Sequence, residues 1–404
     1  MKTNFKLSPV AVALLGLLCS SATLAQSGAV VVTSSPIIES NNVDVFSGFS
    51  TRVTDAQIKD LGALDLAAAL RMTPGVQISR YNEVGSYSGD QGGNVYIRGL
   101  GASRPGSEIK TYLDGVPVYM GVWSHPLMDL LPMNGVKSVD IYKGPQNQVS
   151  GNNFASINLQ SKRAMQEGNE IEVNASLGSF STKILQANLV GRKADVDYSL
   201  AAGQVESSGA RSNADSQLSS AMGRVAQKID GAWTIGASFL SVHNKVGDPG
   251  DNRFAVSNGV ARNNSATQLI TAFAMHQHGD WKGEFKAYQN EGHNNLVNDA
   301  NWGTFDSDFK MTGFRWKEEI TPWKNGKLVG GLDLEISSGS IKGPHVGAPV
   351  GTPFAFGTAG SADVPTFRIT SAFAGISHNI QTAGAWLVRP SFGARAYSSN
   401  IYAS

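Results

Sequence analysis

The strongest constraint on the fold is a strict alternation of apolar and polar residues that begins near Glu170. The segment 171–177, IEVNASL, has apolar residues at its odd positions and polar residues at its even positions, and the same arrangement returns at 194–200, 233–239 and 332–336. Successive side chains of a β-strand point to opposite faces, so each segment has one apolar face and one polar face. About eleven such segments of about ten residues each predict a large antiparallel sheet.

A soluble β-sandwich and a membrane barrel both produce this alternation, and the connections distinguish them. Short turns are predicted at 192–195, 229–231, 279–282, 322–327 and 381–384, and longer polar loops at 206–215, 244–264, 292–306 and 342–364. Trp233, Trp281, Trp316 and Trp386 lie close to the short turns, where a barrel has an aromatic girdle. With 45 glycines among 404 residues and only 16% charged residues, the composition is also typical of turn-rich β structure. We therefore predict transmembrane β-barrel strands with periplasmic turns and extracellular loops.

Residues 26–165 have a different pattern. Thr54 to Gln57 form a capping box that opens a short helix, and Asp65 opens a second helix over 66–71 that Pro74-Gly75 ends. Asp114-Gly115 is a strong hairpin signal. Short strands are predicted at 95–97, 110–113, 116–119, 136–142 and 157–159. These elements predict a small mixed α/β domain.

The N-terminus has the composition of a cleavable secretory signal. Lys2 and Lys6 precede an apolar run over 9–18, and small residues then lead to a cleavage position after Ala25. The run is too short to span a bilayer as a helix. The single cysteine, Cys19, lies in this signal, so disulfides and thiolate chemistry are not expected in the mature protein. A formal net charge of +1 gives no electrostatic footprint for nucleic acid, which is not expected as a partner.

Ordered motifs in the first domain carry a family resemblance. Residues 65–70 followed by TPGV at 73–76, NVYIRG at 94–99, YLDGVPV at 112–118 and VKSVDIYKGP at 136–145 closely resemble the plug of TonB-dependent outer-membrane receptors. The resemblance implies a signal peptide at 1–25, an N-terminal extension at 26–49, a plug domain at 50–165 and a partial transmembrane β-barrel at 166–404.

The length of the barrel portion departs from the family pattern. Barrels of this family have 22 strands around a lumen wide enough to hold the plug, and residues 166–404 provide about half that number. A closed barrel of that size could not enclose the first domain. We therefore expect one curved sheet with an unpaired final edge, and an N-terminal fragment of a receptor or a truncated product.

The resemblance also implies two mechanical sites. The segment Ala29, Val30, Val31, Val32 and Thr33 resembles the TonB box, by which family members pair with the energy-coupling protein TonB, and an exposed extended segment can add to a partner's sheet. The alternatives are a first plug strand or a disordered tail.

Two basic residues in the plug motifs, Arg98 and Lys143, would pair with carboxylates on the inner barrel wall and hold the plug closed. Glu172, Glu284 and Glu335 are the acids considered, since a buried cation without a partner is costly. The alternative is ordinary exposed charge.

Candidate ligand-binding residues cluster after the plug hairpin. They are Arg104, Tyr119, Met120, Trp123, His125 and Met128. The aromatic and basic members suit an organic anionic chelate, whereas the methionines and His125 suit a soft metal. Plug packing is the alternative role. His276-Gln277-His278 is placed by the strand count beside a short periplasmic turn, where an extracellular ligand would not reach it.

The resemblance implies an outer-membrane receptor and TonB-dependent active transporter for a ferric siderophore or similar iron chelate. The alternatives are a truncated product that does not transport, or a receptor for haem, cobalamin or a soft metal such as copper. The sequence contains no nucleophile-elbow, HExxH or P-loop pattern, so neither an enzyme nor a resident cofactor is expected. Expected partners are the TonB complex, outer-membrane lipid and a small-molecule metal chelate.

Overall fold

The computed structural model describes residues 42–44, 48–79, 82, 84–85, 94–101, 109–120, 125–126, 131–146, 150–151, 153–249, 260–299, 303–343, 360–382, 384 and 386–400. The predicted signal, the coupling segment 29–33 and the ligand candidates Arg104, Trp123 and Met128 lie outside the described residues. For Met120 and His125 the backbone alone is described.

The described residues of an N-terminal domain, within 42–161, form two short helices and eleven strands. The helices are α1 (Asp55–Asp60) and α2 (Leu66–Leu70). The strands are β1 (Asn42–Asp44), β2 (Gly48–Thr54), β3 (Val76–Ser79), β4 (Asn94–Ile97), β5 (Leu100–Gly101), β6 (Ile109–Leu113), β7 (Val116–Pro117), β8 (Tyr119–Met120), β9 (His125–Pro126), β10 (Val136–Tyr142) and β11 (Ala155–Ser161). Six of them form the order β1-β2-β10-β11-β6-β7, in which β11 and β6 are parallel.

Both helices begin at the residues that the sequence predicts. The Thr54 side chain accepts a hydrogen bond from the Gln57 amide, and the Gln57 side chain accepts one from the Thr54 amide, which confirms the capping box. The Asp65 carboxylate caps α2 by accepting from the Ala68 amide at 2.9 Å. Leu66 and Leu70 are fully buried in the domain core. No helix among the described residues has the length and apolar character needed to cross a membrane.

The predicted Asp114-Gly115 hairpin is confirmed, with a shorter second strand. Both turn residues have positive φ, 48° and 77°, as this tight turn requires. β7 ends at Pro117, with one further hydrogen bond of 2.9 Å from the Val118 amide to the Thr111 carbonyl oxygen, and β8 pairs with β9 in a separate two-stranded sheet. Tyr119 therefore leaves the hairpin, contrary to the predicted strand over 116–119.

The second part of the chain is one eleven-stranded antiparallel sheet, which we call the wall. Its strands are β12 (Gly168–Gly178), β13 (Thr182–Lys193), β14 (Val196–Ser207), β15 (Ser216–Lys228), β16 (Trp233–Gly247), β17 (Arg262–His278), β18 (Trp281–Asp299), β19 (Gly303–Ile320), β20 (Gly326–Gly343), β21 (Gly360–His378) and β24 (Ser391–Ser399). Neighbours in sequence are neighbours in the sheet, and β12 and β24 form its two edges within the described residues. The predicted strand number and open edge are confirmed.

The strands are longer than the ten residues that the alternation predicts. β18 and β21 each have 19 residues. The predicted loop over 292–306 is wrong in extent, because β18 continues to Asp299 and β19 begins at Gly303. Ladder hydrogen bonds satisfy the backbone whether the side chains are apolar or polar, so polar strand ends continue the sheet.

The connections between wall strands differ in length at the two ends of the strands. Residues 194–195, 229–232, 279–280 and 321–325 make short connections on one edge, the short-turn rim. The strands that are joined by the longer stretches 208–215, 248–261 and 344–359 meet those stretches at the opposite edge, the long-loop rim. The chain reverses near the predicted turn at 381–384, but as the tip of a small unpredicted hairpin of β22 (Ile380–Gln381) and β23 (Leu387–Val388) that precedes β24.

The two faces of the wall differ in polarity, as the alternation of apolar and polar residues in the sequence predicts. The face turned away from the N-terminal domain exposes large apolar side chains, among them Leu177, Ile270 and Phe392. The facing side is covered, and its Leu240 and Asn290 are buried. This arrangement gives the wall an apolar exterior and a mixed interior that contacts the N-terminal domain.

Three of the predicted girdle tryptophans lie on the outer face beside the short-turn rim, where two of them meet a carboxylate. Trp281 and Trp316 each donate an indole hydrogen bond of 2.7 Å to Glu318, and His276 Nε2 lies 3.1 Å from the same carboxylate. Trp233 is tilted against His276 with ring centroids 4.9 Å apart. These contacts fix the orientation of the girdle.

The cluster depends on a glycine. A Cβ at Gly283 would lie closer than van der Waals contact to both Glu318 and His276. We expect Gly283→Ala to lower the free energy of unfolding by about 1–3 kcal/mol, the usual cost of overpacking. Gly330→Ala is the control, because its Cβ would meet its nearest neighbour, the Phe373 carbonyl oxygen, at 3.5 Å. Thermal unfolding in detergent measures both, and equal stability of the two variants would contradict the packing argument.

Candidate functional site: the junction between domain and wall

The Asp114-Gly115 turn of the N-terminal domain reaches the wall. Lys286 Nζ donates a hydrogen bond of 2.8 Å to the Asp114 carbonyl oxygen, and the Arg315 guanidinium donates to the Gly115 carbonyl oxygen. Arg315 also lies over the Tyr112 ring, 5.3 Å from its centroid. Two wall cations therefore hold the tip of one hairpin.

The register of the wall places these cations side by side. Lys286 on β18 is directly opposite Arg315 on β19, so both side chains lie on the covered face. Each has a carboxylate from the wall itself: Glu284 lies 2.7 Å from Lys286, and Asp333 lies 2.9 Å from Arg315. Asp333 also pairs with Arg395 at 2.6 Å. Each of the two neighbouring cations thus has a carboxylate partner within the wall.

A second contact surrounds Tyr119, which is 5% exposed. Its hydroxyl donates to Glu335 of the wall, and its carbonyl oxygen accepts from Asn290 at 3.3 Å. The Lys110 ammonium lies over the Tyr119 ring, 5.1 Å from the centroid. Burial lowers the pKa of Lys110, but the Glu335 carboxylate and the neighbouring tyrosine hydroxyls together outweigh burial and raise it overall.

A third contact lies on the other side of the domain. Asn134 Nδ2 donates a hydrogen bond of 3.0 Å to the Ala202 carbonyl oxygen on β14. Next to it, a Cβ at Gly135 would lie 2.9 Å from the Ala201 Cβ, so the two backbones approach closely here. The wall holds the domain at well-separated strands.

The first wall strand is tied to the domain by ion pairs. Glu172 lies 3.0 Å from Lys59 of α1 and 3.4 Å from Lys162. Burial lowers the pKa of Lys59, but Glu172 and Asp55 outweigh burial and raise it overall. The sequence singles out Glu172 as a partner for plug cations, and the cations that it meets are Lys59 and Lys162.

Arg98 and Lys143, the predicted lock residues, lie together. Arg98 donates a hydrogen bond of 2.8 Å to the Lys143 carbonyl oxygen and lies over the Phe154 ring. Lys143 is 6% exposed, and burial lowers its pKa. The carboxylates considered for them bond other groups: Glu172 bonds Lys59 and Lys162, Glu284 bonds Lys286, and Glu335 bonds Tyr119. The locking role of Arg98 and Lys143 stays a prediction.

The structure describes some of the predicted ligand-binding residues. Tyr119 lies in the junction, and the backbones of Met120 and His125 are paired between β8 and β9. In the described ranges no group of three or more His, Cys, Asp or Glu side chains is arranged to hold a metal ion. His276 lies two residues before the end of β17, at the short-turn rim, as the strand count predicts. The ligand roles stay predictions.

The sequence reading did not single out Lys286, Arg315 and Asp333. A usable signal was present, because each is a charged residue on the polar face of an alternating segment whose other face carries aromatic or apolar side chains. Charges in such positions face a barrel interior and need partners there. The partner of Lys286 is a backbone turn 172 residues earlier, and the sequence around Lys286 does not indicate it.

Comparisons with known proteins agree with this architecture. A sequence model of the TonB-dependent Receptor Plug Domain matches residues 44–156. The fold is shared with the ferripyoverdine receptor of the outer membrane of Pseudomonas aeruginosa bound to ferripyoverdine, at 15% identity and a TM-score of 0.65 over 87% of this chain and 51% of that chain. It is shared with the ferric citrate transporter FecA in the unliganded form, at 15% identity and 0.66 over 88% of this chain and 57% of that chain.

The copper transporter OprC has the same fold at 12% identity and a TM-score of 0.64, over 87% of this chain and 59% of that chain. This chain therefore spans between 51% and 59% of the length of these three proteins. A mixed domain that matches the plug model packs against the inner face of an eleven-stranded wall. Residues 44–156 therefore match the TonB-dependent receptor plug domain, and the chain shares the fold of these solved proteins over most of its length.

Proposed function

We propose that the protein acts in the outer membrane as a receptor and active transporter for an iron chelate such as a ferric siderophore. The observation that carries the proposal is the plug domain held by its Asp114-Gly115 turn against the inner face of a wall with an apolar exterior. Such an exterior suits outer-membrane lipid, with the short-turn rim in the periplasm and the long-loop rim outside.

The contacts at the turn suit a plug that must move. Lys286 and Arg315 donate to backbone carbonyl oxygens of the plug, while their charges are balanced by Glu284 and Asp333 of the wall. When the turn leaves, both cations keep their carboxylates, so no uncompensated buried charge remains. Release of the turn therefore breaks only its hydrogen bonds to Lys286 and Arg315, and water can replace these bonds in an open lumen.

We propose a transport cycle that uses this arrangement. The chelate binds from the long-loop side, at Arg104, Trp123 and their neighbours. TonB pairs with the segment 29–33 and pulls on the plug, which breaks the turn contacts and uncovers Tyr119. The chelate then passes between plug and wall toward the periplasm.

The ligand class is proposed from the aromatic and basic candidates. Similar proteins bind ferripyoverdine or transport ferric citrate, and one transports copper. In the candidate segment, Trp123 offers a stacking surface for an organic chelate, whereas Met120 and Met128 offer thioethers to copper. We favour the iron chelate.

A titration of the purified protein in detergent tests this proposal. With a panel of ferric siderophores, haem, cobalamin and copper, we expect an iron chelate to bind, and Trp123→Ala to weaken that binding by roughly 1 to 3 kcal/mol. Met120→Leu is the matched control, because it preserves side-chain volume and should leave chelate binding nearly unchanged. Copper binding that is lost with Met120→Leu and kept in Trp123→Ala would reject the iron chelate in favour of copper.

A further inference from the structure

A cavity of about 500 Å³ lies between the plug turn and wall strands β15 to β19. Its lining includes Asp114 and Gly115 of the plug and Glu284 and Lys317 of the wall. Glu284 and Lys317 are each three residues from the short-turn rim. The cavity is therefore on the proposed periplasmic side of the wall.

The cavity lining is strongly basic. Its cations are Lys137, Arg163, Arg224, Lys286, Arg315 and Lys317, and its carboxylates are those of Asp114 and Glu284. Four cations have an acid partner: Arg163 and Lys286 use the two lining carboxylates, and Arg224 and Arg315 use Asp197 and Asp333. Among the described residues, Lys137 and Lys317 form no such pair. Six lining cations against four acids leave an excess of at least two positive charges, since Asp333 is shared with Arg395.

Lys317 is the better placed of these two lysines. It lies directly opposite Glu284 in the ladder, so its side chain is on the covered face of the wall, and it is half-buried. The Glu284 carboxylate is 2.7 Å from Lys286 instead. In the part of the chain that the structure describes, no carboxylate lies within 4.0 Å of the Lys317 ammonium. A half-buried ammonium of this kind attracts an anion.

We infer that this cavity is a second, exit-side binding site for a negatively charged metal chelate, with Lys317 as one of its anchoring residues. The inference rests on the proposed function and adds to it that the transported chelate is an anion. The volume lies within the range of about 300–1,000 Å³ that is typical of sites for small organic ligands. Movement of the Asp114-Gly115 turn would open this site to the chelate above it, since the turn forms part of the lining.

Calorimetric titration of the purified protein in detergent, where both rims are accessible, tests the inference. The probes are ferric citrate as an anionic chelate and a neutral ferric trihydroxamate of similar size. We expect two binding events for ferric citrate and one for the neutral chelate. Lys317→Gln should weaken one ferric citrate event by about tenfold, the loss of one charge-assisted hydrogen bond, and added salt should weaken the same event.

Lys310→Gln is the matched control, since Lys310 is an exposed lysine on the opposite face of the same strand. Lys317→Arg should keep both ferric citrate events, which separates loss of charge from loss of folding. Equal behaviour of Lys317→Gln and Lys310→Gln would overturn the cavity assignment. Binding of the neutral chelate alone would overturn the anion site while the receptor function stands, whereas binding of no iron chelate would overturn the proposed function.

Discussion

Replacing Arg315 with alanine is expected to detach the plug turn from the wall and to lower the free energy of unfolding by about 3 kcal/mol. The substitution removes the donor to the Gly115 carbonyl oxygen, the cation over the Tyr112 ring and one partner of Asp333. The effect falls at the lower end of the range for a broken buried pair, because Arg395 remains 2.6 Å from Asp333. Thermal unfolding gives the stability change, and limited proteolysis of residues 109–120 gives the release of the turn.

The control for this prediction is Arg368→Ala. Arg368 is an exposed arginine on β21, so its loss should change neither the melting temperature nor the protease pattern by more than the small effect of a surface substitution. If Arg315→Ala has the same melting temperature and protease pattern as Arg368→Ala, other contacts hold the turn and the role assigned to Arg315 is wrong.

Local signals of the sequence were sufficient for most secondary structure. The capping box at Thr54 and the Asp114-Gly115 turn depend on residues that are neighbours in sequence, and both form as predicted. The number of wall strands follows from alternation, because a buried or lipid-facing side must be apolar along each strand. Strand ends were less predictable. Polar residues continue β18 to Asp299, and nothing local marks the point where the ladder stops.

The junction could not be predicted because its contacts join distant parts of the chain. Arg315 and Gly115 are 200 residues apart, and Tyr119 and Glu335 are 216 residues apart. The alternation of apolar and polar residues predicts that Arg315 faces inward. Which plug atom it contacts depends on how deep the plug lies in the wall. That depth is set by the packing of the whole domain, so the hydrogen-bond partners follow only from the structure.

The close approach at Gly135 leads to the second prediction of large effect, because it is where the plug meets β14 and β15. A Cβ at Gly135 would lie 2.9 Å from the Ala201 Cβ and 2.8 Å from the Met222 Cγ. Met222 can change rotamer, but the Ala201 Cβ is fixed to the wall backbone, so a larger side chain must push the domain away. We expect Gly135→Leu to lower the free energy of unfolding by about 3 kcal/mol, the upper part of the usual range for overpacking.

The displacement would also disturb the neighbouring hydrogen bonds at Gly135, in which the Lys162 amide donates to the Gly135 carbonyl oxygen at 3.0 Å and Asn134 donates to Ala202. Gly231→Leu provides the control, since a Cβ there would meet nothing within 4 Å. Thermal unfolding and proteolysis of the plug should both distinguish the two variants. A Gly135→Leu protein as stable as Gly231→Leu would show that the plug can shift on the wall without a loss of stability. In that case β14 and β15 would not be a fixed contact for the domain.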